Sequence, residues 1–425
     1  MDGTNAAPEA APEIVIAGGG LVGLSLAVAL GGAGLPVVLV DRDRPDDKLG
    51  ERFDGRSSAI ARGSQQVLHA LGIWDELAGE AQPIRDIRVT DGRPGEPASP
   101  FFLHYAEADL GQGPMGWIVE NRVLRRALYR RLAALAEVRL LAPASVAAAT
   151  AESGGQEVRL ADGRRLAAAL VVAADGKDSR LREAAGIRVW HWHYPQTGLV
   201  ATLAHELPHE GVAHEHFLPA GPFAVLPMPD GEDGSGGGRV HRSSLVWTER
   251  STLAPAFLRL DEAAFGQAME RRFGLSLGRL RPIGGRFAYP LDYQLAERFA
   301  APRLALLGDA AHVIHPIAGQ GLNLGLRDVA ALAEAVVDQA RLGLDPGDPV
   351  VLERYQRWRR FDTLLLGVVT DGLNRLFSND IAPLRLARDL GLAAVNRAKP
   401  LKRLFMRHAM GLVGELPRLV RGEAL

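Results

Sequence analysis

Residues 14–40, IVIAGGGLVGLSLAVALGGAGLPVVLV, are the stretch that most limits how this chain can fold. The run is apolar enough to resemble a membrane span, but seven glycines and a proline interrupt it. Residues 14–17 and 37–40 have the pattern of short buried strands, and residues 21–30 have the pattern of an apolar helix. Because the glycines fall between these segments, the stretch predicts a βαβ unit rather than a transmembrane helix.

The turn of this unit contains Gly18, Gly20 and Gly23, which have the G-x-G-x-x-G spacing. In that pattern the glycines permit a tight turn, close approach of a pyrophosphate, and close packing of helix on strand. Asp41 ends the second strand, where an acidic side chain binds ribose hydroxyls, and Arg42 beside it is a further candidate contact. The unit therefore predicts a dinucleotide site; a glycine-rich structural turn is the alternative.

Residues 308–328, GDAAHVIHPIAGQGLNLGLRD, place an acid, two histidines, a proline and several glycines at one junction. Asp309 follows a predicted buried strand, the position at which α/β sheets bind ligands. Residues 322–340 have helical apolar periodicity, so Gly319 and Gly321 precede a second helix N-terminus that favours negative charge. A flavin would use both helix N-termini and would place its ribityl chain at Asp309. A simple helix cap with structural loop histidines is the alternative.

A third segment of the same kind lies between these two. Residues 170–174, LVVAA, predict a buried strand that is followed by Asp175, Gly176 and Ser179. Taken alone, this is an Asp-Gly turn that leads into a helix N-cap.

Composition excludes several classes of protein. The 425 residues include no cysteine, which rules out disulfides, thiolate metal sites and cysteine nucleophiles, so redox chemistry would need a cofactor. A net charge of −1 provides no global basic field for nucleic acid. The acidic, Ala/Pro-rich residues 1–12 are predicted to be disordered and lack the features of a signal peptide, which favours a cytoplasmic protein.

The three segments together resemble the class A flavoprotein aromatic hydroxylases, which have the fold of para-hydroxybenzoate hydroxylase. The family's G-x-G-x-x-G, D-G and G-D motifs occur in order at 18–23, 175–176 and 308–309. Further stretches are similar to the ubiquinone-biosynthesis hydroxylase subfamily: 54–60 (DGRSSAI), 117–128 (WIVENRVLRRAL), 308–329, 377–379 (FSN) and 391–411. One departure is Asp41, because that subfamily usually has Glu there.

The resemblance implies an α/β fold, in which a Rossmann-like FAD-binding domain carries an inserted β-sheet substrate domain and a C-terminal helical segment. The predicted boundaries are a disordered N-terminus at 1–12, an FAD-binding domain at 13–188 and 286–350, a substrate domain at 189–285 and C-terminal helices at 351–425.

The resemblance also implies an FAD-dependent monooxygenase that hydroxylates the aromatic ring of a polyprenylated phenol or quinol in ubiquinone biosynthesis, through a flavin hydroperoxide. Dioxygen would be the co-substrate, and NADH, NADPH or a redox partner would supply electrons. The chain has no second G-x-G-x-x-G motif for a resident nicotinamide. Two alternatives remain: a hydroxylase of a small soluble aromatic compound, and a non-catalytic FAD-binding partner or redox sensor.

Site residues follow from the same resemblance. Pro316 would line the face of the flavin ring where substrate docks, and the backbone N–H groups of Leu322 and Asn323 would contact the ring. The predicted cofactor-binding residues are Gly18, Gly20, Gly23, Asp41, Arg42, Arg56, Asn121, Asp175, Asp309, Gly321, Leu322 and Asn323.

No catalytic side chain is assigned. Hydroxylation of a phenol calls for a proton acceptor, but His312 and His315 are interpreted as structural loop residues. His214 and His216 would point to one face of a strand, and no carboxylate at a suitable spacing completes a metal site.

The C-terminal residues 397–425 contain seven Lys or Arg and two Glu. One predicted helical face carries Leu401, Leu404, Phe405, His408, Ala409 and Leu412, with Lys402, Arg403 and Arg407 away from it. Such a basic amphipathic helix can lie on an anionic membrane surface, which predicts peripheral association with the inner face of the membrane. Packing against the FAD-binding domain or a subunit partner is the alternative. Other ubiquinone-pathway proteins are candidate partners in a complex.

Overall fold

The computed structural model describes residues 13–50, 56–96, 99–111, 113–152, 154–233 and 238–425. Two predictions fall at least partly outside these ranges: the disordered N-terminus and the start of the DGRSSAI motif at 54–55.

The described helices are, in chain order, α1 (Leu21–Gly32), α2 (Pro45–Leu49), α3 (Arg62–Ala70), α4 (Trp74–Leu77), α5 (Asn121–Ala133), α6 (Arg180–Ala184), α7 (Ala254–Leu258), α8 (Glu262–Phe273), α9 (Gln320–Arg341), α10 (Pro349–Phe377), α11 (Ala382–Arg397) and α12 (Lys399–Ala409). None of these helices has the length and apolar character that a bilayer-spanning segment needs.

The described strands are β1 (Glu13–Ala17), β2 (Val37–Val40), β3 (Ser57–Ala61), β4 (Gln82–Ile84), β5 (Asp86–Asp91), β6 (Leu103–Ala106), β7 (Gly116–Glu120), β8 (Val138–Leu141), β9 (Val146–Glu152), β10 (Gly155–Leu160), β11 (Arg165–Ala173), β12 (Val189–His205), β13 (Val212–Leu218), β14 (Gly221–Glu232), β15 (Arg239–Arg250), β16 (Leu280–Ala296), β17 (Ala300–Ala301), β18 (Leu304–Leu306) and β19 (His312–Val313).

The first sheet has the strand order β17-β18-β11-β1-β2-β8, and its four central pairings, from β18 to β8, are parallel. β1, α1 and β2 form the predicted βαβ unit, with Ile14 opposite Val37 in the register. Parallel strands buried on both faces need continuous apolar runs, which explains the VVLV sequence of β2. The carboxyl ends of β1, β11 and β18 therefore bring the three predicted motifs to one edge of the sheet.

The second sheet has the order β19-β16-β12-β15-β14-β13-β5-β6. Along β14 and β15 the side chains alternate between two faces, as a strand requires. One face packs Phe223 and Trp247 against Phe265 and Met269 of α8. The other face turns toward the first sheet.

This second sheet draws on more of the chain than the predicted substrate domain at 189–285. It takes in β5, β6 and β19, and β16 continues to Ala296. β13 pairs in parallel with β5, more than 100 residues earlier in the chain, with Val212 opposite Asp86. Such long-range pairing leaves no local pattern in the sequence, which is why the prediction missed it.

A small third sheet, β3-β7-β4, lies beside α5. The C-terminal helices contact both main sheets: Tyr355 of α10 donates a hydrogen bond to Leu306 O at 2.7 Å, and Phe377 stacks on Phe217 of β13 with ring centroids 4.2 Å apart. The C-terminal helical segment thus closes the space between the two sheets.

Candidate functional site

A cavity of about 1350 Å³ lies between the edge of the first sheet and the inner face of the second. It is larger than most pockets for one small ligand. The Gly-rich loop, β3, the loop before α9, the inner faces of β13 to β15 and the C-terminal helices all line it.

The three motif glycines have different tasks. Gly18 has a φ of +113°, and a Cβ there would lie 2.2 Å from Ala174 O. A Cβ on Gly23 would lie 2.0 Å from Gly18 O, so this glycine allows α1 to pack on the loop. Gly20 is the N-cap of α1, and a Cβ there would meet no atom within 4 Å. The open space at Gly20 lies where unpaired helix N–H groups would hold a pyrophosphate.

Asp41 lies beside this loop at the end of β2. A Cβ on Gly19 would come within 2.1 Å of Asp41 Oδ2, and the Asp41 carboxylate forms a short, buried ion pair with Lys48. Lys48 Nζ also donates to Gly19 O at 3.2 Å. Sequence reasoning missed Lys48 because nothing in the short segment PDDKL marks it as a loop partner.

Arg42 is placed differently from the other predicted site residues. Its side chain is 84% exposed and pairs with Asp43 at 3.5 Å. Arg42 does not line the cavity, and neither do Gly18, Asp41 and Asp175. The assignment of Arg42 to the cofactor stays a prediction.

The D-G segment at 175–176 is hydrogen-bonded to the residues around it and borders the cavity at Gly176. Asp175 Oδ2 accepts a hydrogen bond from Arg180 N at 3.2 Å, and Gly176 lines the cavity with a φ of +93°. Arg182 Nη1 donates to both Lys177 O and Ala310 O, at 2.8 and 3.0 Å. Arg182 therefore ties the D-G turn to the G-D turn.

Asp309 projects into the cavity from the turn after β18. The protein around it raises the pKa of its carboxyl group through desolvation, and the nearby His312, Arg56 and Lys177 partly offset this effect. A carboxyl group in this position can accept hydrogen bonds from ligand hydroxyls.

The loop before α9 is held by one side chain. Asn323 Nδ2 donates to Ala59 O at 2.8 Å and to Gly319 O at 3.1 Å, and Asn323 Oδ1 accepts from Ala61 N at 2.8 Å. Gly319 is the N-cap of α9 and has a left-handed φ of +61°. A Cβ on Gly321 would meet no atom within 4 Å. The first N–H groups of α9 therefore border the cavity, and Pro316 and Leu322 line it beside them.

Arg56 and Asn121 come together although 65 residues separate them. Asn121 N donates to Arg56 O at 3.0 Å, and Ser58 Oγ donates to Asn121 Oδ1 at 2.6 Å. The Arg56 guanidinium lies 5.0 Å from the centroid of the Tyr289 ring. Both Arg56 and Asn121 line the cavity.

His312, His315 and His216 do not line the cavity, whereas His214 and His408 do. His312 Nε2 is 2.5 Å from Asp328 Oδ2, and His315 is fully buried with its ring 5.1 Å from that of Tyr194. Burial lowers the pKa of His214 and of His216 to about 4. Among the described residues, the group that could chelate a metal is a different one, namely His191, His193 and Asp292.

One residue that sequence reasoning missed is Glu215, which lies on the cavity wall in β13. Desolvation raises the pKa of its carboxyl group to about 7. The sequence HEH of this strand alternates between faces but does not say which face borders a cavity.

Comparison with known proteins identifies the family to which this fold and site belong. A family model described as FAD binding domain matches residues 12–360. The chain belongs to this FAD-binding family. It is 54% identical over 416 residues to the ubiquinone hydroxylase UbiL of Rhodospirillum rubrum, covering 97% of this chain and 93% of the relative. It is 35% identical to the 3-demethoxyubiquinol 3-hydroxylase of Escherichia coli, covering 94% and 98%.

The fold is also that of solved aromatic hydroxylases. The crystal structure of p-nitrophenol 4-monooxygenase PnpA from Pseudomonas putida matches with a TM-score of 0.77 at 20% identity, covering 96% of this chain and 99% of that one. The predicted family and fold class are confirmed. The cavity fits the cofactor of the family, because Gly20 and Gly321 leave open space at two helix N-termini that face the same cavity.

Proposed function

We propose that this protein is an FAD-dependent monooxygenase that hydroxylates the aromatic ring of a polyprenylated phenol in ubiquinone biosynthesis. The observation that carries the proposal is the single cavity that joins the flavin-binding motifs to an apolar wall of the C-terminal helices. The similarity to two hydroxylases named for ubiquinone or demethoxyubiquinol supports the substrate class.

The chain's own residues would hold FAD at both ends of the cavity. The N-terminus of α1 would take the pyrophosphate and Asp41 the ribose hydroxyls. Arg56, Asn121 and Asp309 would bind the middle of the cofactor, and the N–H groups of Leu322 and Asn323 would contact the ring. Bound FAD would supply dioxygen activation, with electrons from NADH, NADPH or a protein donor.

The rest of the cavity favours a prenyl tail over a carboxylated ring. Leu373, Leu392 and Val395 line its far end. Arg388 also lies there, but its guanidinium is bound to Asp91 at 2.8 Å and both side chains are 2% exposed. Because this charge is already paired, Arg388 is not available to bind a substrate carboxylate, which disfavours the alternative of a small acidic aromatic substrate.

The C-terminal helix α12 exposes part of its predicted apolar face, but Lys402, which was predicted to lie away from that face, is buried. Lys402 and Met406 are buried, and Lys402 Nζ binds Asp109 Oδ2 at 2.6 Å, whereas Leu401, Leu404 and Phe405 are exposed. The physical reason is that Asp109 pairs with Lys402 and Met406 packs against Met115, two partners that helix periodicity cannot reveal.

This orientation supports a peripheral membrane role. Exposed apolar residues on one helix mark an interaction surface. Phe405 lines the cavity as well as being exposed, and so do Leu365 and Val369 of α10. We propose that this rim rests on a lipid surface, so that a prenyl tail passes from the bilayer into the cavity.

The first experiment is a visible spectrum of the purified protein, followed by oxygen uptake with NADH or NADPH, with and without a prenylated phenol. Flavin absorbance, phenol-stimulated oxygen uptake and a product that contains one added oxygen atom support the hydroxylase. Bound flavin without stimulation, even when reduced flavin is generated chemically, supports the non-catalytic alternative.

The membrane proposal needs point variants, because a C-terminal truncation would also remove Arg418, which binds Glu334 of α9. Replacing Leu401, Leu404 and Phe405 by Ser should lower binding to liposomes of anionic phospholipid. The control replaces Leu253, which precedes α7, and Leu275, which follows α8, by Ser; both are exposed apolar residues. Equal binding by the triple variant and the wild type would contradict the proposal.

A further inference from the structure

The inner wall of the cavity is formed by alternate residues of β13. Ala213, Glu215 and Phe217 point to one face of the second sheet, because successive side chains of a strand alternate. His214, on the other face, contacts Phe273 of α8 with ring centroids 5.1 Å apart. His214 also lines the cavity, but Glu215 is the ionisable residue of this strand on the face that carries Ala213 and Phe217.

The neighbours of Glu215 locate it opposite the loop before α9. Ala213, two residues before it, packs in one apolar cluster with Ala59 of β3. Phe217, two residues after it, packs in another with Ile317, the residue that follows Pro316. Since Asn323 joins Ala59 to the start of α9, Glu215 faces the region where β3 and the Pro316 loop meet.

The carboxylate of Glu215 lies in apolar surroundings. Val89 and Ala224 are its register partners on the adjacent strands β5 and β14. Within the described part of the chain, no hydrogen bond or ion pair engages this side chain, although it borders the cavity. An unpaired carboxylate in an apolar wall costs free energy unless a ligand supplies a hydrogen-bond donor.

We propose that the Glu215 carboxylate accepts a hydrogen bond from the ring hydroxyl of the phenol and so orients the ring against the Pro316 loop. This inference rests on the proposed function, because it requires a phenol in the cavity. A charge-assisted hydrogen bond of this kind is short and strong, and the rest of the wall is apolar enough to pack against the ring.

Other ionisable groups reach the same cavity from other elements. They are Arg56, Tyr105, Arg125, Tyr289, Asp309, Arg388 and His408. None of them perturbs the Glu215 carboxyl group, whose raised pKa of about 7 is due to desolvation. Glu215 is thus a carboxylate above neutral pH and a neutral acid below it.

The test compares binding of two probes to the FAD-loaded protein by calorimetry: ortho-prenylphenol and prenylbenzene, which lacks the hydroxyl. Above the Glu215 pKa, wild type should bind the phenol about tenfold more tightly, equal to about 1.4 kcal/mol. E215L should bind both probes equally. E215Q keeps a neutral acceptor oxygen and should show a smaller preference that does not change with pH, whereas the wild-type preference should fall as pH drops through about 7.

A matched control is E210Q, which removes an exposed carboxylate from the turn before β13 and should leave the preference unchanged. An E215L protein that keeps the full preference contradicts the proposal, as does a wild-type preference that is the same on both sides of the Glu215 pKa. If E215L does not retain FAD, the proposal is tested by comparing how the preference for the phenol changes with pH in E215Q and in wild type. Oxygen uptake is measured in parallel. A preference for the phenol that depends on Glu215, without hydroxylation, would contradict the proposed hydroxylase activity but not the proposed hydrogen bond.

Discussion

Asp328 Oδ1 accepts a hydrogen bond from Arg359 Nε at 2.7 Å, in a contact that buries both side chains almost completely. Asp328 Oδ2 also accepts from Gly308 N at 3.2 Å and lies 2.5 Å from His312 Nε2. One carboxylate of α9 thus fixes the Gly308–Asp309 turn and the following strand to α10. Asp328, the acid at the end of the 308–328 segment, is therefore a structural anchor of the site.

Replacing Asp328 by Asn should destabilise the fold by about 3 kcal/mol, because the buried pair with Arg359 is lost and Arg359 keeps only Asp362 as a counter-charge. Chemical denaturation of the apoprotein measures this loss. The control is D380N, since the Asp380 pair with Arg93 is exposed and contributes much less. A loss in D328N no larger than that in D380N would show that the buried network is not a stabilising anchor.

The same network predicts that the stabilisation contributed by Asp328 depends on pH. Desolvation alone would raise the pKa of Asp328, but His312 and Arg359 outweigh it and hold the pKa below the usual value. The stabilisation is therefore fully present above about pH 4, the pKa of an unfolded Asp, and is lost as pH falls through the lower folded pKa. The difference in free energy of unfolding between wild type and D328N should narrow only below about pH 4.

Variants of two motif glycines distinguish a role in cofactor binding from a role in folding. Gly20 has a φ of −71° and open space beside it, so G20A should leave apoprotein stability within about 1 kcal/mol of wild type. FAD affinity should fall at least about tenfold, because the methyl group occupies the space predicted for the pyrophosphate. G23A, whose Cβ would clash with Gly18 O, should instead destabilise the apoprotein. Thermal melting and FAD titration distinguish the two, and a G20A protein with unchanged FAD affinity would remove the pyrophosphate from this position.

Local features of the chain were predictable and long-range ones were not. The β1–α1–β2 unit follows from apolar runs and glycines within 30 residues, and the structure places these elements as predicted. The β5–β13 pairing and the buried side of α12 depend on partners far away in sequence, such as Asp109 for Lys402. Glu215 was missed for the same reason: a strand pattern gives two faces, and only the packed fold shows which one borders the cavity.

The buried pair of Asp91 and Arg388 joins the second sheet to α11. Replacing Asp91 by Asn should cost about 3–5 kcal/mol, because Arg388 would lose its counter-charge in an apolar site. The double variant D91L/R388M should recover much of this loss, since apolar side chains of similar size can replace a buried ion pair. Denaturation of D91L, R388M and the double variant gives the coupling energy, and additive losses would show that the two residues act independently.

Variants of Asn323 and Leu322 test how the start of α9 would contact the flavin ring. N323A removes the partners of Ala61 N, Ala59 O and Gly319 O, so it should lower the melting temperature and weaken FAD binding by displacing the first turn of the helix. L322A keeps its backbone N–H and should change FAD affinity by less than about threefold, because the proposed contact does not involve the side chain. The comparison is made by FAD titration, with circular dichroism to establish that both variants fold. If L322A weakened FAD binding as much as N323A, the Leu322 side chain rather than its N–H group would make the contact, and the α9 N-terminus would lose its proposed role at the ring.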